Sequence, residues 1–384
     1  MAVPVSKSHA HRVLIAEFLA GRTACLAPSP EDCDDICATK RCLAALDAQR
    51  TPRAQDYATG LASRENDGDV PRAQDKDAVT LDCGESGTTR RLLGPIVAAL
   101  GVMPNWVMKG RLATRPQIDY ANLEPGVQVL AGDVSSQFVS GLLFALPLLD
   151  GDSEIRLTSP LASRGYVDMT LDVLRTYGVS VDETATGFRV AGHQRFRAPA
   201  DGPRIETDWS GAAFPLAMAA LGNAVRLSDG CVAGLADDSR QPDRAIVPIL
   251  ADFARAGDVS VDIDACPDIF PVLTVVAAKR AGTTRFTGIR RLRLKESDRV
   301  AAMADVLTRF GVATDVSDAA FVVHGQSAPL RGGALCSFAD HRVAMSVAVG
   351  ATVADAPVAI DDTACAAKSY PGFFAQFASL QRFG

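Results

Sequence analysis

Serine, lysine and arginine side chains stand at the starts of several apolar runs in this chain. In "SKSHAHRVLIAEFLAG", Lys7, Ser8 and Arg12 precede an apolar run, and in "GESGTTRRLLG" Gly87 stands before another. The free amides at a helix N-terminus hold anions, and glycine lets a ligand approach the backbone closely. Ordinary helix capping would also explain each of these stretches when it is considered alone.

The same pattern recurs further along the chain. It places Lys or Arg beside Gly, Ser or a helix start in stretches that carry Arg115, Lys295, Glu296, Arg299, Arg342 and Lys368. Another stretch has two hydroxyls and an amide, those of Ser135, Ser136 and Gln137, ahead of an apolar run. The stretch "KESDR" is also typical of a charged first turn capped by Ser297 or Asp298. Because the net charge is −6, this repetition predicts a local positive site for a polyanion that carries phosphate and carboxylate groups.

The elements that would position these side chains are mostly amphipathic helices. Apolar periodicity predicts helices at 11–20, 35–47, 88–100, 166–177, 209–221, 242–256, 268–280, 298–310 and 340–353. Short β-branched runs such as "VSVDE" and "FVVHG" lie between them. This alternation indicates an α/β or alternating α+β fold.

One internal repeat indicates two similar domains with a cleft between them. The segments 174–192 and 307–325 align without gaps and share seven of nineteen positions, including Gly178 with Gly311 and Phe188 with Phe321. Each segment predicts a helix end, a glycine stop, a strand, a turn and a second strand.

Composition excludes several classes of protein. The 384 residues, 48% apolar and 22% charged, suit a soluble globular protein of two or three domains. Net negative charge argues against binding to nucleic acid or to a membrane surface. No apolar run is as long as a membrane span and the N-terminus lacks a signal-peptide pattern, so we expect a cytosolic protein. The nine cysteines lack the spacing of a zinc site and are expected to be free thiols.

The polar segment 50–78 differs from the rest of the chain. It is rich in Gly, Arg and Asp and contains "PRAQD" twice, at 52–56 and 71–75. This composition predicts a solvated surface excursion.

Nine motifs, taken in order, resemble the 5-enolpyruvylshikimate-3-phosphate (EPSP) synthase family. They run from residue 4 to about residue 377 and are S-K-S-x3-R, G-x-S-G-T, R-P, S-S-Q, S-R-G-Y, C-P-D, K-E-S-D-R, D-H-R-x-A-M and K-S-Y-P-x-F-F. The resemblance implies an enolpyruvyl-transferase-like fold, with two similar domains of repeated βαβαββ units. It implies a first domain at 8–208, a second at 209–384 with 1–7, and an active site in the interdomain cleft.

The family transfers the enolpyruvyl group of phosphoenolpyruvate to the 5-hydroxyl of shikimate 3-phosphate, without a metal or organic cofactor. By resemblance, the residues for shikimate 3-phosphate are Lys7, Ser8, Arg12, Ser135, Ser136, Gln137, Ser163, Asp268 and Lys295. Those for phosphoenolpyruvate are Lys7, Gly87, Arg115, Gln137, Arg299, Arg342 and Lys368. Asp268 would be the base at the 5-hydroxyl and Glu296 the proton donor to the methylene carbon, with Lys7 as a third catalytic residue. We expect a cytoplasmic monomer.

The chemistry agrees with these implied roles. Protonation of the methylene carbon gives its neighbour cationic character, and the hydroxyl then attacks there, so the reaction needs an acid and a base. Two carboxyls in one cationic pocket serve both roles if their environments separate their pKa values. Lys and Arg side chains neutralise and orient the two anionic substrates.

The chain departs from the family pattern at several points. It starts almost at the first motif, so the preceding strand is expected to be short. Only nineteen residues separate Arg115 from Ser135, which predicts that part of one βαβαββ unit is missing. Glu85 and Arg291 stand where many members have Asn.

Two other functions compete with this one. The sister enzyme that acts on a UDP-sugar shares the fold but typically has a loop cysteine as donor, and it lacks this K-E-S-D-R and D-H-R set. A non-catalytic phosphoshikimate-binding member is the other alternative, and turnover would distinguish it from an enzyme.

Overall fold

The computed structural model describes residues 1–49 and 78–380. The predicted surface excursion, with both "PRAQD" copies, lies outside the described residues up to residue 77. The helices are α1 Lys7–Leu19, α2 Asp34–Ala48, α3 Gly87–Ala99, α4 Ser136–Ala145, α5 Arg164–Thr176, α6 Trp209–Ala220, α7 Asp229–Gly234, α8 Ile246–Phe253, α9 Phe270–Ala277, α10 Arg299–Arg309, α11 His341–Ala351 and α12 Phe373–Leu380. The strands are β1 Val79–Gly84, β2 Pro104–Met108, β3 Gly126–Leu130, β4 Ser153–Leu157, β5 Asp182–Thr184, β6 Gly187–Val190, β7 Val259–Asp262, β8 Thr283–Thr287, β9 Thr314–Val316, β10 Phe321–His324, β11 Gly333–Leu335 and β12 Val358–Ile360.

The chain divides into two compact units. The first unit is Lys7–Ile205, and the second unit is Met1–Ser6 together with Glu206–Gly384. The predicted domain limits differ from these by one residue at Lys7 and by three residues near Asp208. Within the second unit, the two segments pair, because Val5 forms an antiparallel bridge with Thr207 and the Ser6 amide donates to the Glu206 carbonyl at 2.7 Å.

Each unit contains one four-stranded sheet of the same topology. In the first unit the strand order is β3-β4-β6-β5, and in the second it is β7-β8-β10-β9. In both, the first two strands are parallel and the last two add antiparallel. Because a helix connects each successive pair before the closing hairpin, both are βαβαββ units, which confirms the predicted repeat and fold class.

Each unit also contains a parallel two-stranded sheet. β1 pairs with β2 in the first unit, and β11 pairs with β12 in the second. Between β2 and β3, residues 109–125 contain only the 3-10 turn Gly110–Thr114, without the helix and hairpin that close the complete units. This confirms that one βαβαββ unit is incomplete.

The crossover helix α9 is buried because it packs against the sheet and against neighbouring helices. All eight residues of α9 are buried. In the second unit, Phe270 packs edge-to-face on Phe286 and on Phe321, with 5.4 Å between ring centroids in each pair. Such pairs add to the stabilisation from apolar burial.

Helix starts were the least predictable boundaries. α1 begins at Lys7 rather than at residue 11, because the polar residues Lys7, Ser8 and His9 are helical without giving an apolar signal. The predicted helix 242–256 divides into a 3-10 turn, Pro242–Ala245, and α8. α4, α7 and α12 lie outside the nine predicted helical ranges.

Candidate active site

Most of the predicted site residues lie at two recurring positions of the parallel strand pairs. The first position is the start of the helix that connects the two strands, and the second is the turn after the second strand. Both positions lie at the carboxyl edge of a parallel pair, where ligands of α/β sheets bind. Helix starts supply Gly87, Ser135, Ser136, Gln137, Asp268 and Arg342, and the turns supply Arg115, Ser163, Lys295, Glu296 and Lys368.

The first turn of α1 carries Lys7 and Ser8. The Lys7 ammonium forms an ion pair with Asp35 of α2, with 2.8 Å between Nζ and Oδ2. Both side chains are largely buried, at 14% and 5% exposure. Asp35 therefore fixes the direction of the Lys7 side chain, and sequence analysis had not included it in the site.

Arg12 is a buried cation among neutral groups. Its guanidinium donates to Thr170 Oγ1 at 2.8 Å, to the Ser8 carbonyl at 2.6 Å, to the Tyr166 carbonyl at 2.9 Å and to Ser140 Oγ at 3.3 Å. Burial lowers the pKa of Arg12 to about 10, which leaves it charged at neutral pH. A buried charge is costly unless an opposite charge compensates it, so this environment favours an anionic ligand nearby.

Gly87 at the start of α3 lies against two guanidinium groups. A Cβ atom at Gly87 would be 3.1 Å from Arg115 Nη1 and 3.5 Å from Arg91 Nη1. Ser86 caps the helix by accepting from the Thr89 amide at 3.3 Å. The helix start thus combines free amides with two cations, a suitable site for an anion.

The start of α4 is tied to α3 through Gln137. Its Oε1 accepts from Arg91 Nη1, and its Nε2 donates to Thr88 Oγ1, both at 2.9 Å. Ser135 is the N-cap and accepts from the Gln137 amide at 3.3 Å. Arg91, which sequence analysis missed, joins Gln137 to the Gly87 turn; its signal was the second arginine of "TTRRLL".

Ser163 stands at the start of α5 with left-handed backbone angles, φ 50° and ψ 51°. It is buried, at 4% exposure. A non-glycine residue costs free energy in this region, and such strain clusters at functional sites.

In the second unit, one guanidinium holds three carboxylates. Arg299 is 1% exposed and contacts Asp268 through Nη1 at 2.7 Å, Glu296 through Nη2 at 2.9 Å and Asp340 through Nε at 2.9 Å. Asp340 also accepts from Ser297 Oγ at 3.0 Å. Asp340, in the "DHR" motif but not predicted as a site residue, therefore orients Arg299.

Asp268 is surrounded by cations. Besides Arg299, it contacts Lys295 Nζ at 3.2 Å and Arg342 Nη2 at 3.7 Å. Asp268 precedes α9, whose N-cap is Ile269, and α10 is capped by Asp298 rather than by Glu296. The two carboxyls assigned to catalysis are thus not the N-caps of these helices.

The protonation states follow from these contacts. Burial lowers the pKa of Arg299, but the charges of Asp340, Glu296 and Asp268 more than offset this and raise it above its ordinary value. Burial likewise lowers the pKa of Arg342, and the Asp268 charge reverses the shift. For Asp340, burial raises the pKa, whereas Arg299 brings it below its ordinary value.

Asp243 is a further buried acid beside this cluster. Burial first, and then the charge of Asp268, raise the pKa of Asp243 to about 7. Its Oδ2 accepts from Ser210 Oγ, and the Ser210 carbonyl accepts from Arg342 Nη1 at 3.1 Å. Asp243 thus contacts the backbone segment that anchors Arg342.

The predicted residues fall into one group per unit. The first unit holds Lys7, Ser8, Arg12, Gly87, Arg115, Ser135, Ser136, Gln137 and Ser163, and the second holds Asp268, Lys295, Glu296, Arg299, Arg342 and Lys368. Lys368 is 7% exposed at the end of the 3-10 turn Ala364–Lys368. The convergence of both groups in one cleft stays a prediction.

The two departures from the family pattern have defined surroundings. Arg291 pairs with the Asp264 carboxylate, with 3.0 Å between Nε and Oδ1. Glu85 lies against the backbone of Gly110, whose φ is +53° and where a Cβ would collide with the carboxylate.

The described ranges also bear on other chemistries. Within 1–49 and 78–380, no group of three or more His, Cys, Asp or Glu side chains is arranged to hold a metal ion. In the same ranges, no helix has the length and apolarity needed to cross a bilayer. All nine cysteines are free thiols.

The sequence is similar to proteins of one enzyme family along nearly its whole length. Residues 109–377 match the family model described as EPSP synthase (3-phosphoshikimate 1-carboxyvinyltransferase). A 3-phosphoshikimate 1-carboxyvinyltransferase from Clostridium kluyveri is 37% identical, with 78% of each chain covered, and one from Clostridium beijerinckii is 33% identical over 98% of this chain and 94% of its own. An EPSP synthase structure from Acinetobacter baumannii has a TM-score of 0.69 at 20% identity, over 99% of this chain and 94% of its own, a likeness of fold.

Proposed function

The chain belongs to the EPSP synthase family, and on this basis we propose that it transfers the enolpyruvyl group of phosphoenolpyruvate to the 5-hydroxyl of shikimate 3-phosphate, releasing phosphate. This activity, 3-phosphoshikimate 1-carboxyvinyltransfer, is a step of chorismate and aromatic amino acid biosynthesis. The observation that carries the proposal is that Asp268 and Glu296 are held by one buried guanidinium, Arg299.

Shikimate 3-phosphate binds mainly to the first unit in this proposal. Its phosphate lies at the start of α4 and near Ser163, and Lys7, Ser8 and Arg12 approach it from α1. The buried positive charge of Arg12, which is bonded to neutral groups, supports an anion there. Asp268 and Lys295 of the second unit complete the binding of the ring hydroxyls.

Phosphoenolpyruvate binds to residues of both units, most of which are cations. The first unit contributes Gly87, Arg115 and Gln137, with Lys7 beside them. Arg299, Arg342 and Lys368 contribute from the second. Arg342 has more of its positive charge available for a substrate than Arg299 has. Its contact with Asp268 is long, at 3.7 Å, whereas Arg299 forms short ion pairs with three carboxylates.

Addition of the 5-hydroxyl to phosphoenolpyruvate then needs two proton transfers. Glu296 gives a proton to the methylene carbon of phosphoenolpyruvate, and Asp268 accepts the proton of the 5-hydroxyl as its oxygen bonds to the neighbouring carbon. Departure of phosphate and return of a proton from the new methyl group to Glu296 then restore the double bond. Arg299 orients both carboxyl groups, and Lys295 with Arg342 favours ionised Asp268, the form required of a base.

We further propose that the two groups of residues meet in one cleft and that the protein acts as a cytoplasmic monomer. The support is that the chain supplies every assigned residue itself. Sedimentation at enzymatic concentrations tests the oligomeric state.

The function is tested by combining both substrates with the enzyme and measuring phosphate release, with calorimetry on shikimate 3-phosphate in parallel. Turnover supports the proposal. Binding without phosphate release identifies the chain as a non-catalytic phosphoshikimate-binding member. If neither binding nor phosphate release is observed, the proposed substrates are wrong.

A further inference from the structure

Four buried polar side chains form a continuous hydrogen-bonded chain from α1 through α2 to the start of α3. His11 Nδ1 lies 2.7 Å from Thr39 Oγ1, and Thr39 Oγ1 lies 2.7 Å from Thr89 Oγ1. Thr89 Oγ1 in turn donates to Ser86 Oγ at 2.8 Å. All four residues are 0% exposed. We call the chain His11–Thr39–Thr89–Ser86 the hydroxyl relay.

The donors along the relay depend on one another. Each hydroxyl has a single proton and accepts up to two hydrogen bonds, so a threonine that donates to one neighbour in the relay must accept from the other. Removal of the Thr39 hydroxyl takes one hydrogen bond from each of two buried partners, and such a loss costs more than the net contribution of the bond itself. The geometry therefore couples three helices tightly.

The two ends of the relay adjoin the assigned substrate groups. His11 precedes Arg12 and lies one turn after Lys7 in α1. Ser86 precedes Gly87 and accepts the Thr89 amide as the cap of α3. Near the middle, the Asp35 carbonyl lies 3.4 Å from Thr89 Oγ1, while the Asp35 carboxylate binds Lys7.

The two ends differ in how else they are held. α1 has a separate anchor in Arg12, which bonds to Ser140 of α4 and Thr170 of α5. In the described structure, both side-chain hydrogen bonds of Ser86 involve Thr89. The Ser86 bonds stay within the start of α3, and the Thr39–Thr89 bond joins that start to α2. Loss of the Thr39–Thr89 bond should therefore shift the start of α3 relative to α2 and leave α1 in place.

We propose that Thr39 and Thr89 are positioning residues that hold the Ser86–Gly87 turn in register with α1, so that phosphoenolpyruvate binds beside bound shikimate 3-phosphate. The inference rests on the proposed function for the identity of the two ligands. It goes beyond that function because neither threonine is assigned a contact with substrate.

The test compares Thr39→Val with Thr39→Ser in steady-state kinetics on the full chain. Valine keeps the shape and removes the hydroxyl, whereas serine keeps the hydroxyl. We expect Thr39→Val to raise the KM for phosphoenolpyruvate about tenfold, the scale of one buried hydrogen-bond defect. The KM for shikimate 3-phosphate should change less than about twofold, and Thr39→Ser should restore both values.

A matched control separates positioning from general destabilisation. Thr274 of α9 is also 0% exposed and its hydroxyl donates only locally, to the Pro271 carbonyl at 2.7 Å. Thr274→Val should lower the melting temperature without a selective change in either KM. If Thr39→Val fails to fold, Thr89→Val replaces it, with Thr89→Ser as its rescue.

The outcomes distinguish the inference from the function. If the wild-type protein turns over but Thr39→Val, or Thr89→Val in its place, leaves the two KM values unchanged or raises them equally, the relay is not a positioning device. Wild-type protein without turnover contradicts the proposed function instead. In that case, calorimetry of phosphoenolpyruvate with saturating shikimate 3-phosphate gives the same comparison between valine and serine variants.

Discussion

At the scale of single residues, Gly87 offers a direct test of the phosphoenolpyruvate assignment. A Cβ there would lie 3.1 Å from Arg115 Nη1, so Gly87→Ala must push this guanidinium away. We expect the KM for phosphoenolpyruvate to rise about tenfold or more, the scale of one displaced charged contact, with little change for shikimate 3-phosphate. Steady-state kinetics with each substrate varied measures this. Gly230→Ala, where a Cβ meets no atom within 4 Å, is the control, and equal losses for both substrates would contradict the assignment.

The acid and base roles are separable by isotope exchange. Asp268→Asn and Glu296→Gln should each lower kcat at least about 10²-fold, the usual scale for a lost acid or base. Glu296→Gln should also suppress deuterium entry into the methylene group of phosphoenolpyruvate, because Glu296 supplies that proton. NMR of both substrates in deuterated water follows the signal. Exchange at the wild-type rate would remove Glu296 from the donor role.

Titration of Asp243 should make the stability of the folded protein depend on pH. Its folded pKa of about 7 exceeds the unfolded value of about 4, so the stability from its bound proton is complete below pH 4 and is lost as pH rises through 7. Asp243→Asn should therefore gain melting temperature relative to wild type between pH 4 and 7 and then level off. Asp258→Asn is the control of opposite sign, because hydrogen bonds from Thr283 lower the pKa of Asp258. A pH-independent difference for Asp243→Asn would rule out its titration.

At the scale of elements, the turn into α5 combines strain with binding. Ser163 has φ 50°, a region that costs an L-residue roughly 1–2 kcal/mol and that glycine occupies readily. Ser163→Gly and Ser163→Ala both remove the hydroxyl and should both raise the KM for shikimate 3-phosphate. Only glycine relieves the strain, so the melting temperature of Ser163→Gly should equal or exceed that of Ser163→Ala. The reverse order of melting temperatures would show that the turn is not strained.

Elements were predictable where the apolar period was long, as in α2, α3 and α10, whose limits differ by one residue from those predicted. The repeat 174–192 and 307–325 predicted both hairpins, because each copy contains a strand, a turn and a second strand. What could not be predicted were partners distant in sequence. Lys7 and Asp35 are 28 positions apart, and Arg299 and Asp340 are 41 apart, so only the tertiary packing of their elements brings them together. Residue types thus indicated the cations, but not the carboxylates that orient them.

At the scale of the whole molecule, the assignment of one substrate pair to residues of both units predicts compaction on binding. A ligand that contacts both units favours the closed state by its differential affinity. X-ray scattering should show a smaller radius of gyration with saturating shikimate 3-phosphate. Arg12→Ala, which removes one assigned contact, should need more ligand for the same change. An unchanged radius at saturation would contradict closure.

The pairing of Val5 with Thr207 and of Ser6 with Glu206 has a consequence for modular construction. The chain leaves the second unit after Ser6 and returns to it at Glu206, at two points joined by a 2.7 Å hydrogen bond. The first unit is therefore an insertion whose ends are adjacent, the arrangement that tolerates excision and circular permutation. Joining Ser6 to Glu206 through a few residues would give the second unit as an independent protein, and the excised first unit would be its partner for reconstitution from two fragments.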